Sequence, residues 1–183
     1  MNYEKIKKCG TTHKIKGGNK MEEWISLTEY MKRFHLGYKE VKKMIDNGHI
    51  IGNHTVNHKS MPDLTDEQIK SEVMNLHTTI YEKYGYEMKY IRPPKGEYSE
   101  RTVNFTNTLG YKTVMWSFAY DDWDEKKQGR EEYAKEKILK NIHNGAVILL
   151  HGNSKDNVNV LDYCIKEIKK MGYEFKSLDE FER

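Results

Sequence analysis

The stretch IIGNHTVNHKSMP (residues 50–62) places His54 and His58 four residues apart, where a short apolar run ends in a polar loop. Imidazole nitrogens are common ligands of divalent metals, so two of them after a strand could form half of a metal site. Two histidines at this spacing also occur often by chance. The pair alone therefore leaves open a metal site and two purely structural histidines, and the rest of the site must come from elsewhere in the chain.

The composition indicates one globular domain. The length of 183 residues fits one domain better than two. The chain is polar, with 32% charged residues, but its 13 Tyr, 5 Phe and 3 Trp supply the large side chains that a core requires. Its net charge of +3 is small and the two signs are interleaved along the chain. This distribution argues against a nucleic-acid partner.

Neither the cysteines nor the hydropathy indicate a secreted or membrane-spanning protein. Cys9 and Cys164 are far apart and show no CxxC spacing, so both are predicted to be free thiols. No stretch approaches the roughly 18 apolar residues of a membrane span, and the basic start has no apolar segment behind it. A cytoplasmic location is the default expectation, and it is uninformative if the amino terminus is not original. The oligomeric state is unknown.

Helical and extended patterns alternate from residue 36 onward. Apolar residues at helical spacing, with a capping box at Thr65 and Gln68 and a cap at Ser99, predict helices at about 37–47, 65–84, 99–110, 130–143 and 157–171. Short apolar runs predict strands at 49–53, 88–91, 113–118, 146–150 and 174–176. Residues 1–35 lack such a pattern and are predicted to be a poorly ordered or unrelated segment ahead of a domain at 36–183.

The strand predicted at 146–150 is apolar throughout, which is typical of a parallel sheet covered by helices on both faces. The fold class is therefore α/β, and active residues are expected at the carboxyl ends of its strands. The residues that follow the predicted strands are His54, His58, Arg92, Asp121, Asp122, Trp123 and His151. Each has a simpler interpretation as a turn, loop or surface ion-pair residue, but their joint placement favours one site.

The order of these residues resembles that of the polysaccharide deacetylases, the NodB homology domain of carbohydrate esterase family four. The matching segments are HTVNH (54–58), RPPKG (92–96), DW (122–123) and LLHG (149–152). Their surroundings, including GNHTVNHKSMPDL and LLHGNSKDN, are most similar to the sporulation-type peptidoglycan N-acetylmuramic acid deacetylases that lead to muramic δ-lactam. The resemblance covers about residues 38–181. It implies a distorted (β/α) barrel, here lacking its first strand or strands.

The resemblance also implies the chemistry, which is metal-dependent N-deacetylation of a cell-wall glycan, with peptidoglycan as the expected substrate. A divalent metal, usually zinc, is held by two histidines and an aspartate and activates water against the acetamide carbonyl. His54 and His58 match the two histidine ligands. His151 matches the general acid that protonates the leaving amine, and Asp122 would orient that imidazole and stabilise its charged form.

Other matched positions would bind the substrate or orient the catalytic groups. Arg92 matches the arginine that orients the family's base aspartate. A sugar face and the acetyl methyl group are expected to contact Trp123, Leu149, Pro94 and Trp116.

The sequence departs from the family at the first motif. That motif, a strand ending in Thr-Phe-Asp-Asp-Gly or a close variant, supplies the general base and the third metal ligand, and it should precede His54. It is not recognisable here, since no aspartate occurs before Asp46. Arg92 would then lack the base aspartate that it binds in the family.

Several explanations of this departure remain open. Residues 1–35 could be unrelated sequence after a truncation or frameshift, which would leave the chain weakly active or inactive. Glu22, Glu23 or Glu29 could supply the missing carboxylate. The chain could also be a non-catalytic glycan-binding remnant of a deacetylase, or an unrelated α/β binding module whose two histidines serve only structure.

Overall fold

The computed structural model describes residues 13–15, 23–25 and 38–181 of the chain. These residues divide into two compact units, with the boundary between Met115 and Trp116. Strands β1 (His13–Ile15) and β2 (Glu23–Ile25) pair antiparallel in the first unit. The rest of the predicted N-terminal segment 1–35, including Glu22 and Glu29, lies outside the described residues.

Three α-helices follow within residues 38–115, the continuously described part of the first unit. They are α1 (Tyr38–Asp46), α2 (Asp66–Tyr84) and α3 (Glu100–Thr108). The predicted capping box of α2 is confirmed, since the Thr65 hydroxyl accepts from the Gln68 amide and the Gln68 side chain accepts from the Thr65 amide. Ser99 caps α3 as predicted. The local sequence therefore determines where these helices begin, because each cap satisfies amides that the first turn leaves without helical partners.

Short parallel strands connect these helices. Strand β3 (Tyr90–Ile91) pairs with β4 (Lys112–Thr113), and a single parallel bridge joins Asn53 to Ile91. The strand predicted at 49–53 is therefore reduced to one bridge. The reason is that its earlier amides have other partners, since the His49 amide donates to Met44 of α1 and the Ile51 amide donates to the Tyr86 hydroxyl.

Buried apolar side chains form the core of this unit. Its fully buried members include Val41 of α1, Ile69 and Val73 of α2, and Ile51 and Ile91 near or in the bridge. The helices and the strand segment that ends at the two histidines thus all contribute to the core. Burial of this kind stabilises by about 25 cal/mol per Å² of apolar surface.

The second unit contains helices α4 (Glu131–Lys140) and α5 (Lys155–Lys170). A parallel bridge joins Phe118 to Ile148. The strand predicted at 146–150 is reduced to this bridge, and the one predicted at 113–118 to the bridge and Thr113 of β4. The strand predicted at 174–176 is wrong, because these three residues are exposed and no neighbouring strand pairs with them in the described chain. The core of the unit consists of Ala134, Ile138, Val160, Cys164 and Ile168.

The structure is thus mixed α/β with parallel pairing, as the sequence predicts. Each bridge is followed by a loop that carries predicted site residues. Among the described residues, no helix has the length and apolar character needed to cross a membrane.

Candidate functional site

The first part of the candidate site is the histidine loop, residues 53–58, which follows the bridge at Asn53. His54 is buried and His58 is half-buried. Their ring centroids lie 4.9 Å apart with the planes at 75°. The loop therefore brings together the two imidazoles that the sequence pairs.

The tautomer of His54 follows from its neighbour. Nδ1 of His54 lies 2.5 Å from the backbone carbonyl oxygen of Arg92. A carbonyl oxygen only accepts, so Nδ1 carries the proton and donates it, and Nε2 carries the lone pair. Metal-binding histidines commonly show this arrangement, in which one nitrogen donates to a carbonyl and the other is held in position to bind the ion.

The backbone of the histidine loop is strained. Thr55 has φ 61° and His58 has φ 54°, both in the left-handed region that non-glycine residues rarely adopt. The His58 amide donates to the Thr55 hydroxyl, which closes the turn. For a β-branched threonine this conformation costs on the order of 1–3 kcal/mol, so the surrounding contacts must hold it in place.

Asn53 anchors the histidine loop through hydrogen bonds of its side chain and backbone. Its side chain is buried, and its amide donates to the carbonyl of Val73 at 2.9 Å and to the hydroxyl of Tyr111 at 3.0 Å. Its Oδ1 accepts from the Thr55 amide at 2.9 Å. Its backbone exchanges hydrogen bonds with the strand segment of Tyr90 and Arg92. Asn53 therefore fixes the loop to α2, to β3 and to the segment that precedes β4.

A second anchor is Glu72 of α2, whose carboxylate is buried. It accepts from the Asn57 backbone amide at 2.7 Å and from the Asn57 side chain at 2.6 Å. Its backbone carbonyl accepts from the Val56 amide. The sequence analysis missed both Asn53 and Glu72. Asn53 could have been suspected, because a polar residue that ends a buried strand needs several hydrogen-bond partners.

A separate group of predicted site residues lies in the second unit. Nδ1 of His151 lies 2.7 Å from Oδ1 of Asp122, whose side chain is fully buried. The His151 amide donates to Oδ2 of the same carboxylate at 2.5 Å. Because the carboxylate accepts at both oxygens, it holds the imidazole with Nδ1 protonated and Nε2 as the nitrogen that exchanges protons.

Asn157 completes the surroundings of this pair. Its amide donates to Oδ2 of Asp122 at 2.6 Å and to the carbonyl of His151 at 3.2 Å. Its Oδ1 accepts from the Tyr120 hydroxyl. The sequence analysis missed Asn157 and Tyr120. Asn157 lies in the first turn of α5, where a polar residue is ordinarily exposed and gives no signal.

The comparisons with known proteins now identify the family. The family model described as polysaccharide deacetylase matches residues 11–114. The chain belongs to the polysaccharide deacetylase family. The matched range begins within the segment predicted to be unrelated, and it contains the histidine loop and Arg92.

Two relatives of this chain are peptidoglycan deacetylases. The peptidoglycan-N-acetylmuramic acid deacetylase PdaA of Bacillus subtilis is 42% identical over 141 residues, which are 76% of this chain and 54% of PdaA. A peptidoglycan-N-acetylglucosamine deacetylase of Bacillus cereus is 32% identical over 146 residues, 78% of this chain and 68% of that protein. This chain thus spans about half the length of PdaA.

A solved structure confirms the predicted fold. The structure of Bacillus subtilis PdaA, a family 4 carbohydrate esterase, matches with a TM-score of 0.75 at 40% identity, over 82% of this chain and 63% of that one. The α/β fold of the polysaccharide deacetylase type predicted from the sequence is therefore confirmed, and it is the distorted (β/α) barrel of that family.

The other predicted site residues of this deacetylase-family chain lie in varied surroundings. Trp123 is 58% exposed, whereas Leu149 and Pro94 are buried and Trp116 is half-buried. One guanidinium nitrogen of Arg92, Nη1, is buried. Substrate contact at these positions stays a prediction.

The residues for the metal of the deacetylase family are present in part. The described residues contain no group of three or more His, Cys, Asp and Glu side chains that could hold an ion together. The two histidines fit a divalent metal by their chemistry, since His54 is held in the tautomer that leaves Nε2 as the ligand atom. Of the three glutamates considered for the third ligand, Glu23 belongs to β2 and the other two lie outside the described residues.

Proposed function

We propose that this chain is a metal-dependent N-deacetylase of a cell-wall glycan, with peptidoglycan N-acetylmuramic acid as the substrate. The observation that carries the proposal is the pairing of His151 with the buried Asp122, because amide hydrolysis needs a fixed proton donor for its leaving nitrogen. The family and its relatives, which are peptidoglycan deacetylases, indicate the substrate class.

His54 and His58 would hold the metal, and zinc is the ion that we expect. When bound, it supplies Lewis-acid chemistry that polarises the acetamide carbonyl and acidifies water. The protein's contribution is to keep the two imidazoles oriented. The carbonyl of Arg92 does this for His54. For His58, the Thr55 hydroxyl accepts from the backbone amide and so fixes the main chain that carries the ring.

The proton transfers follow from the chemistry of an amide. Water adds to the acetyl carbon, the carbon–nitrogen bond breaks, and acetate and a free amine form. The nitrogen must receive a proton as it leaves, because an amide anion is too basic to depart. Protonated His151 gives that proton from Nε2, and Asp122 at its Nδ1 stabilises the charged imidazole before the transfer.

A base must also take one proton from the attacking water. In the family this is an aspartate of the first motif, which this sequence lacks before Asp46. We propose that Glu22, Glu23 or Glu29 supplies the missing carboxylate. The order of the chain supports this assignment, because these carboxylates precede the histidine loop as the family motif does.

The exposed indole of Trp123 is the proposed surface for a sugar face. It directly follows the catalytic Asp122, and its carbonyl accepts from the side chain of Asn153. Aromatic rings bind the apolar face of a sugar because both surfaces lose water on contact. Leu149, Trp116 and Pro94 are each proposed to contact the substrate, and Arg92 is proposed to orient a catalytic group.

A second candidate function is glycan binding without catalysis. The absence of an aspartate before Asp46 favours it, since the family's base and third ligand are then missing. Such a protein would bind glycan strands equally well with and without a chelator.

The test is release of acetate from purified peptidoglycan by the zinc-loaded protein. The proposal predicts release that stops with a chelator and falls at least about 100-fold in His151→Ala, the usual size of a lost general acid. His143→Ala is the matched control, because His143 is exposed and its ring nitrogen hydrogen-bonds the carbonyl of the adjacent Asn144. No acetate, together with chelator-insensitive glycan binding, would favour the second candidate.

A further inference from the structure

The first turn of α5 buries two polar residues, Asp156 and Asn157. The first turn of a surface helix is ordinarily solvated, so buried polar side chains there need an explanation. Asp156 has a structural one, since its carboxylate accepts from the backbone amides of Gly129 and Arg130 at 2.8 and 3.0 Å. Asn157 instead contacts Asp122 and His151. His151 is the proposed proton donor to the leaving group, and Asp122 is its carboxylate partner.

The amide of Asn157 can face in only one direction. The Tyr120 hydroxyl donates to its Oδ1, which leaves Nδ2 to donate to Asp122 and to the carbonyl of His151. A reversed amide would place its oxygen against a carboxylate and a carbonyl, and all of these groups only accept. Burial and the nearby Asp122 carboxylate raise the pKa of the Tyr120 phenol, so its hydroxyl remains a donor throughout the working pH range.

These contacts determine how the Asp122 carboxylate is rotated. Its Oδ2 receives two donors, the His151 amide at 2.5 Å and Nδ2 of Asn157 at 2.6 Å. Its Oδ1 is thereby directed at Nδ1 of His151, 2.7 Å away. Without Asn157, Oδ2 would keep one donor, and the carboxylate could turn away from the imidazole.

We propose that Asn157, oriented by the Tyr120 hydroxyl, is a positioning residue that fixes the rotation of Asp122 and, through it, the tautomer of His151. The catalytic consequence of this role rests on the deacetylase function proposed above. The positioning itself does not, because the hydrogen bonds exist whether or not the chain turns over a substrate.

Substitutions of Asn157 and Tyr120 distinguish a positioning role of the Asn157 side chain from mere filling of the core. An aspartate there has nearly the same shape but would place a second carboxylate beside Asp122. An alanine removes both contacts. Tyr120→Phe removes only the hydroxyl and keeps the ring, which packs against Phe118 and Tyr133 with centroids 6.2 and 6.0 Å apart.

The experiment is ¹⁵N NMR of the histidine rings in the full chain, with Asn157→Ala, Asn157→Asp and Tyr120→Phe. Wild type should show His151 as the Nδ1-protonated tautomer. The ratio of this tautomer to the Nε2-protonated form should fall about tenfold in Asn157→Ala and less in Tyr120→Phe. Asn159→Ala is the matched control, because the exposed Asn159 amide on the same helix donates to Glu131 and not to the Asp122–His151 pair.

The outcomes keep this proposal separate from the proposed function. A folded Asn157→Ala variant whose His151 tautomer ratio equals that of wild type would overturn the positioning role. If that variant does not fold, an unchanged ratio in Tyr120→Phe would overturn it instead. In an active enzyme, kcat should fall about 10–100-fold with KM nearly unchanged. Changed tautomers without any wild-type acetate release would support the positioning role and contradict the deacetylase.

Discussion

The backbone carbonyl oxygen of Arg92 lies 2.5 Å from Nδ1 of His54. The main chain of one sequence motif thus orients the side chain of another. The two motifs are held in register by Asn53, whose backbone carbonyl accepts from the Arg92 amide at 2.9 Å. This relationship explains why the histidine loop has a defined shape although the ladder beneath it is a single bridge.

Asn53→Ala should destabilise the protein by about 2–3 kcal/mol. The substitution removes the acceptor of the Thr55 amide and the donor to the Val73 carbonyl, and both partners are buried. Urea unfolding measures the change. Asn75→Ala is the control, because the exposed Asn75 amide donates a hydrogen bond to Ser71 within α2. This control should change the unfolding free energy by less than about 0.5 kcal/mol. Equal effects of the two variants would contradict the anchoring role of Asn53.

The phenol of Tyr111 should make the first unit sensitive to alkali. Burial raises the pKa of Tyr111 to about 12, although the hydrogen bond from Asn53 opposes this rise. The unfolded phenol ionises near pH 10. The raised pKa therefore contributes stability that is fully present below about pH 10 and is lost as the pH rises towards 12.

Tyr111→Phe tests this dependence. Wild type should lose more unfolding free energy between pH 9 and 11 than the variant, because only wild type has this phenol to ionise on unfolding. Tyr98→Phe serves as the control at an exposed tyrosine, and its loss should match that of wild type. Parallel pH profiles for wild type and Tyr111→Phe would show that this phenol does not contribute.

Lys95→Gly should stabilise the protein. Lys95 has φ 59°, so its backbone is held in the left-handed region. Its side chain is exposed and gains no burial that would offset this strain. Glycine adopts this conformation without the clash at Cβ, which is worth about 1 kcal/mol. Thermal unfolding measures the gain. Lys89→Gly, at an exposed position without a positive φ, should be destabilising instead, and a loss of stability in Lys95→Gly would contradict the expected strain.

Much of the fold could be predicted from local sequence. The first residues of α2 and α3 follow from their N-terminal capping residues, because a cap bonds to amides only a few residues further along the chain. The strands were predicted too long. Their lengths depend on which partners compete for each amide, as the Tyr86 hydroxyl does for Ile51, and such partners are distant in the sequence.

The candidate site shows the same division. The four ordered motifs predicted His54, His58, Asp122 and His151, and the structure pairs these residues two by two. The residues that position them were not among those predicted. Several hydrogen bonds of Asn53 and Asn157 reach residues 20 to 58 positions away, and no local pattern identifies such partners.

The most direct test of the account is zinc stoichiometry after dialysis of the purified chain, with His54→Ala as the variant and His143→Ala as the control. The account predicts about one equivalent in wild type and in the control, and a loss of bound zinc in His54→Ala. A wild-type chain that retains no zinc, or a His54→Ala variant that retains the full equivalent, would contradict a metal site at the histidine loop.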